Sequence, residues 1–217
     1  MNSNSKYPPV RTIRMNSRSV TGTVPGIGAY ESTLERDLME ILRFDPEVLT
    51  VYPQPVRVEF VKSDGSKGEC YPDGLIEFKP EFSLLPVLYE VKYREDFRAN
   101  WRELIPKFRA AKQFAFAKGW RFEVFTEREI RTPYLSNVKF LFPFLERKFP
   151  EPITTWVLQI LSDLGEADPD FLLCALCKDK GNRAELIPVI WHLVATEAID
   201  CDLEIPLTMR TKLRAFI

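Results

Sequence analysis

Near the start of the chain four apolar positions, Leu34, Leu38, Ile41 and Leu42, recur at helical spacing. They share one face of a helix predicted from Glu31 to about Phe44, which Asp45-Pro46 ends. The period then changes to two. Val56, Val58 and Phe60 alternate with Arg57 and Glu59, which predicts a strand. Ser63-Asp64-Gly65-Ser66-Lys67-Gly68 has the composition of a hairpin turn, and residues 69–71 and 75–78 continue the sheet. Residues 87–91 are apolar enough for a buried strand. From about Ile105 to Lys118 the pattern is helical again. Phe108, Ala111, Lys112 and Ala115 share a face, Pro106 suits a first turn, and Gly119 suits a stop. Residues 121–125 predict another strand.

Strand, helix and strand over 87–125 imply a parallel pair joined by a crossover. With a hairpin and a helix before it, the fold class is α/β: a mixed sheet flanked by helices. Pro150 and Pro152 mark a break, beyond which helices are predicted over 155–164, 170–177 and 183–197. Short strands are predicted near 199–203 and 208–213. Three helices and a hairpin describe a small, mainly α-helical, winged-helix-like domain. Residues 1–29 are rich in Ser, Asn, Pro and Gly and read as an extended basic arm. The expected organisation is therefore an arm (1–29), an α/β domain (30–149) and a C-terminal domain (150–217).

Charge changes this picture. The net charge of −1 is an average over unlike parts. Residues 1–30 hold four Lys/Arg and no Asp/Glu, and residues 92–121 hold nine against three. Residues 151–217 hold six Lys/Arg against eleven Asp/Glu. One region is suited to phosphate and the other to protein partners. No apolar run approaches the roughly 20 residues of a membrane span, so no membrane role is expected. The cysteines, Cys70, Cys174, Cys177 and Cys201, show no disulfide framework, which suits a reducing cytoplasm. Cys174-Ala-Leu-Cys177 lies in an apolar run that reads as a buried helix stripe, so zinc is not expected.

The chemistry concentrates in Pro72-Asp73-Gly74 and Glu90-Val91-Lys92. Residues two apart in a strand share a face, so Glu90 and Lys92 project together. Val91 points into the core, its carbonyl available as a further metal ligand. Two carboxylates on neighbouring strands suit magnesium, and a lysine beside them can orient or help deprotonate an attacking water. Pro-Asp-Gly alone is an ordinary turn, and Glu-x-Lys alone is frequent on exposed strands. Their joint occurrence is far more specific. Glu31 and Glu35 are four apart and would lie on one face of the first helix, beside its apolar stripe. First-turn acidity explains Glu31 better than Glu35. Arg94, Arg98 and Arg102, continued by Lys107, Arg109 and Lys112, form a candidate phosphate track. Trp101 beside them is more often core than a DNA contact.

Glu31-Ser-Thr-Leu-Glu35, Gln54-Pro55, Pro72-Asp73 and Glu90-Val-Lys92 together resemble the TnsA-type transposon endonucleases. The resemblance covers roughly residues 30–130 in detail and residues 150–217 in layout alone. It implies a restriction-endonuclease-like domain followed by a winged-helix-like one. It also implies cleavage at the 5′ ends of a transposon, magnesium as cofactor with manganese able to substitute, and double-stranded transposon ends as substrate. The implied partners are a DDE-type transposase (TnsB-like) and an AAA+ regulator (TnsC-like). The implied location is the bacterial cytoplasm, on the nucleoid when active. Position by position, the family's helix glutamate falls on Glu35, with Glu31 and Gln54 as secondary candidates. Its metal aspartate falls on Asp73 and its last motif on Glu90 and Lys92, so the metal set is Asp73, Glu90, Val91 and Glu35. A stand-alone nuclease or resolvase of the same fold, or a non-catalytic DNA-binding subunit, are the alternatives.

Overall fold

The computed structural model describes residues 5–11, 20–62 and 64–216. In chain order the first part contains β1 (Gly22–Val24), β2 (Gly28–Tyr30), α1 (Thr33–Phe44), β3 (Val48–Pro53), β4 (Val58–Val61), β5 (Lys67–Cys70) and β6 (Gly74–Phe78). Next come β7 (Val87–Val91), α2 (Arg94–Ala117), β8 (Arg121–Phe125) and α3 (Glu127–Ile130). The second part contains α4 (Pro133–Leu145), α5 (Glu151–Leu164), β9 (Glu166–Ala167), α6 (Pro169–Leu176), α7 (Lys180–Ala195), β10 (Ile199–Asp200) and β11 (Leu213–Ala215).

The central sheet has the order β3-β6-β7-β8. β3 and β7 both run antiparallel to β6, and β7 runs parallel to β8, with α2 as the crossover. Strand alternation assigns each side chain a face. Ile76, Val87, Tyr89 and Val91 pack with Leu34, Leu38 and Leu42 of α1 and Ile130 of α3. Leu75 and Leu88 point the other way, onto Ala115 of α2, with Tyr7, Tyr52, Trp120 and Phe122 around them. The sheet is thus covered by α1 on one face and α2 on the other. Leu88 faces α2, so Glu90, two residues on, faces the same side.

Several expectations are revised. β3 lacks a clean period of two, because a register shift between Val48 and Thr50 leaves Leu49 exposed. No strand was expected there. β4 and β5 pair with each other as a separate two-stranded sheet instead of continuing the central one. α2 begins at Arg94, eleven residues before the expected start, and passes through a non-helical residue, Asn100 (φ −118, ψ 18). Pro106 therefore lies inside the helix, where it lacks the N–H that would bond the Arg102 carbonyl. Lys112 is exposed, unlike Ala111 and Ala115, because their buried strip is narrower than the expected face. α1 begins at Thr33, with Ser32 as N-cap, so Glu31 precedes the helix and Glu35 is in its first turn. First-turn acidity therefore applies to Glu35, where it was expected to apply to Glu31. Within the expected arm, residues 22–30 form the antiparallel β1–β2 hairpin, and residues 12–19 lie outside the described residues.

Two compact units result, Met1–Arg131 and Thr132–Ile217. The division falls well before the Pro150/Pro152 break, because α4 packs with the later helices. The Phe140 ring meets Trp191 of α7 at 5.2 Å, and Asn137 donates to the carbonyls of Leu203 (2.8 Å) and Ile205 (2.7 Å). After α4 comes the order helix, strand, helix, helix, strand, strand, with sheet order β10-β11-β9, as in a winged helix. Among the described residues no helix is long and apolar enough to cross a membrane.

Candidate functional site

Asp73 immediately precedes β6, whose Gly74 pairs with Tyr89 of β7. A side chain at Gly74 would collide with the Tyr89 hydroxyl, so this crossing of strands requires glycine. The Asp73 carboxylate accepts a hydrogen bond from the Val91 backbone N–H at 2.7 Å. That bond ties the turn before β6 to the end of β7. Lys92 continues the ladder, its N–H donating to the Phe125 carbonyl at 3.0 Å. As the alternation requires, Glu90 and Lys92 share a face, with Lys92 Nζ 3.4 Å from Glu90 Oε1. Val91 is in the core, as expected.

α1 supplies Glu35 from the other side of the sheet. The Ser32 hydroxyl accepts from the Glu35 N–H (3.1 Å), and the Glu35 carboxylate accepts from the Glu31 N–H (3.0 Å). This is a variant of the capping box in which the returning bond lands one residue before the cap. The residue is 9% exposed. Glu31 is engaged elsewhere: it accepts from Gln54 Nε2 and pairs with Arg11, each at 3.2 Å. Gln54 is 3% exposed and adopts φ 43, a left-handed conformation. Its backbone N–H donates to the Asp73 carbonyl at 2.9 Å.

Burial raises the pKa of Asp73 well above the ordinary carboxylate range, and the charges of Glu90 and Glu35 push it further up. Burial also raises Glu35 and Glu90, partly offset for Glu90 by Lys92. Burial works against the Lys92 ammonium, but Glu90 and Asp73 outweigh it and raise its pKa. Glu35, Asp73, Glu90 and Lys92 thus form one electrostatic group, which Glu31 joins only through Glu35. Such a surplus of buried carboxylates over cations is costly without a further positive charge, which fits a divalent cation. Among the described residues no three acidic, histidine or cysteine side chains stand close enough to hold an ion as they are, so ligation requires side-chain movement.

A cleft of about 170 Å³ opens beside Glu90 and Lys92, lined also by Arg11, Tyr71, Cys70 and Lys107. Burial raises the Cys70 thiol to about 11, so it is no thiolate nucleophile at neutral pH. Of the expected phosphate track, only Lys107 lines the cleft. Arg94 is half-buried, and its N–H donates to the Glu127 carboxylate at 2.9 Å. Arg98, Arg102, Arg109 and Lys112 are exposed along α2, and the Asn100 break interrupts the expected line through Arg94, Arg98 and Arg102. Trp101 is 50% exposed rather than core, with the Arg102 guanidinium 5.4 Å from its ring. Cys174 is also exposed, contrary to the expected buried stripe, and receives a hydrogen bond from Arg183. Sequence reasoning missed Arg11 and Tyr89 as neighbours of the site, whereas Tyr71 stands in the stretch Tyr71-Pro72-Asp73-Gly74 that it singled out. The docking of residues 5–11 brings in Arg11, and no local pattern signals it.

A mixed sheet between helices, with acidic residues and a lysine at the ends of two adjoining strands, defines an α/β domain of the restriction-endonuclease-like kind. Residues 45–127 match the family described as TnsA-like endonuclease N terminal, and residues 129–203 match TnsA endonuclease C terminal. The chain belongs to the TnsA-type transposon endonucleases and is a nuclease of DNA transposition. The junction between the two matches falls beside the Arg131/Thr132 division of the fold. No curated protein matches the chain.

Proposed function

We propose that this protein is a magnesium-dependent DNA endonuclease that cleaves the 5′, non-transferred strands at transposon ends. It does so together with a DDE-type, TnsB-like transposase and under an AAA+, TnsC-like regulator, on the bacterial nucleoid. The observation that carries the reading is the meeting of Asp73, Glu90 and Lys92 at the ends of β6 and β7, with Glu35 reaching the same point from α1. Asp73, Glu90 and Glu35, with the Val91 carbonyl, are the residues that would hold the metal. Glu35 is preferred to Glu31, whose carboxylate is taken up by Arg11 and Gln54. When bound, magnesium or manganese supplies positive charge to the attacking and leaving oxygens and acidifies the attacking water.

Lys92 stays protonated at neutral pH beside its carboxylates. Its task is therefore to orient the attacking water and to offset charge on the phosphorus, rather than to remove a proton. Lys107 lies across the cleft and holds the substrate phosphate. The exposed Arg98, Arg102, Arg109 and Lys112, with Arg94 at the helix start, steer the duplex without reading its sequence. The C-terminal unit is the surface for protein partners. Asp73→Ala and Lys92→Ala abolish strand cleavage in the presence of magnesium and the partner transposase while the protein stays folded. Full cleavage by the purified Asp73→Ala protein overturns the reading.

A further inference from the structure

Residues 5–11 are fastened to the first unit. The Tyr7 ring lies edge-on to Tyr52 (5.2 Å) and Trp120 (5.5 Å), and Lys6 pairs with Glu77 at 2.5 Å. The Val10 N–H donates to the Gln54 carbonyl at 3.1 Å. Gln54 also donates to the Asp73 carbonyl and to Glu31, so the segment is docked on the same residue that braces the candidate metal aspartate. The next residue, Arg11, lines the cleft with Glu90, Lys92 and Lys107. It is half-exposed, and one of its guanidinium nitrogens holds Glu31 at 3.2 Å.

We infer that Arg11 is a phosphate-binding residue of the nuclease, delivered to the catalytic cleft by the docked N-terminal segment and braced by Glu31. The inference rests on the nuclease reading above. A guanidinium has five N–H donors in a rigid fork, so the pair with Glu31 leaves donors for a phosphate oxygen. An exposed ion pair alone contributes little to stability, which does not account for residues 5–11 being docked so that Arg11 lines this cleft. With Lys92 and Lys107, Arg11 surrounds the opening with three cations, the arrangement a backbone phosphate needs beside a strongly acidic centre.

The test uses the full chain and a fluorescent double-stranded DNA. Binding is measured with magnesium over a range of salt concentrations, in an Asp73→Asn background that does not cut. Added Arg11→Ala should weaken binding roughly tenfold, as expected for one charge-assisted contact. It should also lower the slope of log affinity against log salt by about 0.9, the release expected for one phosphate contact. Arg11→Lys should keep the slope and recover only part of the affinity, since it lacks the fork. The melting temperature should be unchanged in both. An Arg11→Ala protein with the parent's affinity and salt slope overturns this inference alone. A wild-type chain that neither binds nor cuts transposon-end DNA with magnesium and the partner transposase present overturns the nuclease reading and this inference with it.

Discussion

Asp73 combines a structural hydrogen bond with a strongly raised pKa. Its carboxylate caps the end of β7 through the Val91 N–H, yet burial and the neighbouring Glu90 and Glu35 hold its pKa high. A carboxyl whose folded pKa lies above its unfolded value binds more protons when folded. Its effect on stability is therefore unfavourable once pH rises through the window between the two values. Stability should fall as pH rises from the ordinary carboxylate range toward neutrality, and Asp73→Asn should flatten that fall. Each tenfold change in proton affinity corresponds to about 1.4 kcal/mol. Asn can still accept the Val91 bond, so the variant should melt higher than the parent at neutral pH and equal to it in acid. A neutral-pH melting temperature below the parent's would contradict this. Tyr89 is a second case: its hydroxyl is buried with no hydrogen-bond partner among the described residues, and burial with the charges of Asp73 and Glu35 keeps it protonated. Tyr89→Phe should gain about 1 kcal/mol in chemical denaturation, the lower end of the cost of an unsatisfied buried group. A loss would show that a bound water or ion satisfies the hydroxyl.

At the scale of elements, α1 and α2 carry the site differently. α1 is an amphipathic helix whose buried stripe, Leu34, Leu38 and Leu42, was legible from spacing alone. Its start was not, because the cap at Ser32 depends on hydrogen bonds rather than on an apolar repeat. Ser32→Ala should cost about 1 kcal/mol of stability, typical of a lost N-cap. It should also reduce cleavage, because Glu35 would lose the hydroxyl that accepts from its own N–H. Equal stability and equal cleavage would show that the cap is not what positions Glu35. In α2 the buried strip of Leu104, Ala111 and Ala115 faces the sheet, while the Asn100 break turns the first turns away from a single straight line. That break is why an even spacing of arginines did not become an even row of charges.

At the scale of the whole molecule, the carboxylate surplus predicts that a divalent cation bound there would be linked to folding. Magnesium should raise the melting temperature at neutral pH, by about 1.4 kcal/mol of stability at ten times its dissociation constant. The increment should shrink in acid, as protons compete for Asp73, Glu90 and Glu35. It should be absent in Asp73→Asn. A metal-induced shift that survives both changes would place the ion elsewhere. In the C-terminal unit the net acidity is partly spent internally: Glu166 pairs with Lys212 and Arg214, and Asp168 with Arg210. The cross-strand and cap geometry holds these pairs, so they do not present free negative charge to a partner. A docking surface on this unit would have to draw on its remaining acidic residues.

Sequence by itself determined α1, the succession β6, β7, α2 and β8, and the neighbourhood of Glu90 and Lys92. The reason is that a strand's period of two is a local property: once β7 is a strand, both side chains share a face. It also determined the parallel β7–β8 pair, because strand, helix and strand leave little topological choice. Only the tertiary structure decided the rest. It separated the β4–β5 hairpin from the central sheet, placed α4 with the second unit, and exposed Trp101 and Cys174. It also gave the two glutamates different surroundings. Glu31 and Glu35 look equivalent in spacing, but the cap at Ser32 puts one outside the helix, where Arg11 and Gln54 engage it, and the other among the buried carboxylates. Those outcomes depend on contacts between residues far apart in the chain, and no local pattern carries them.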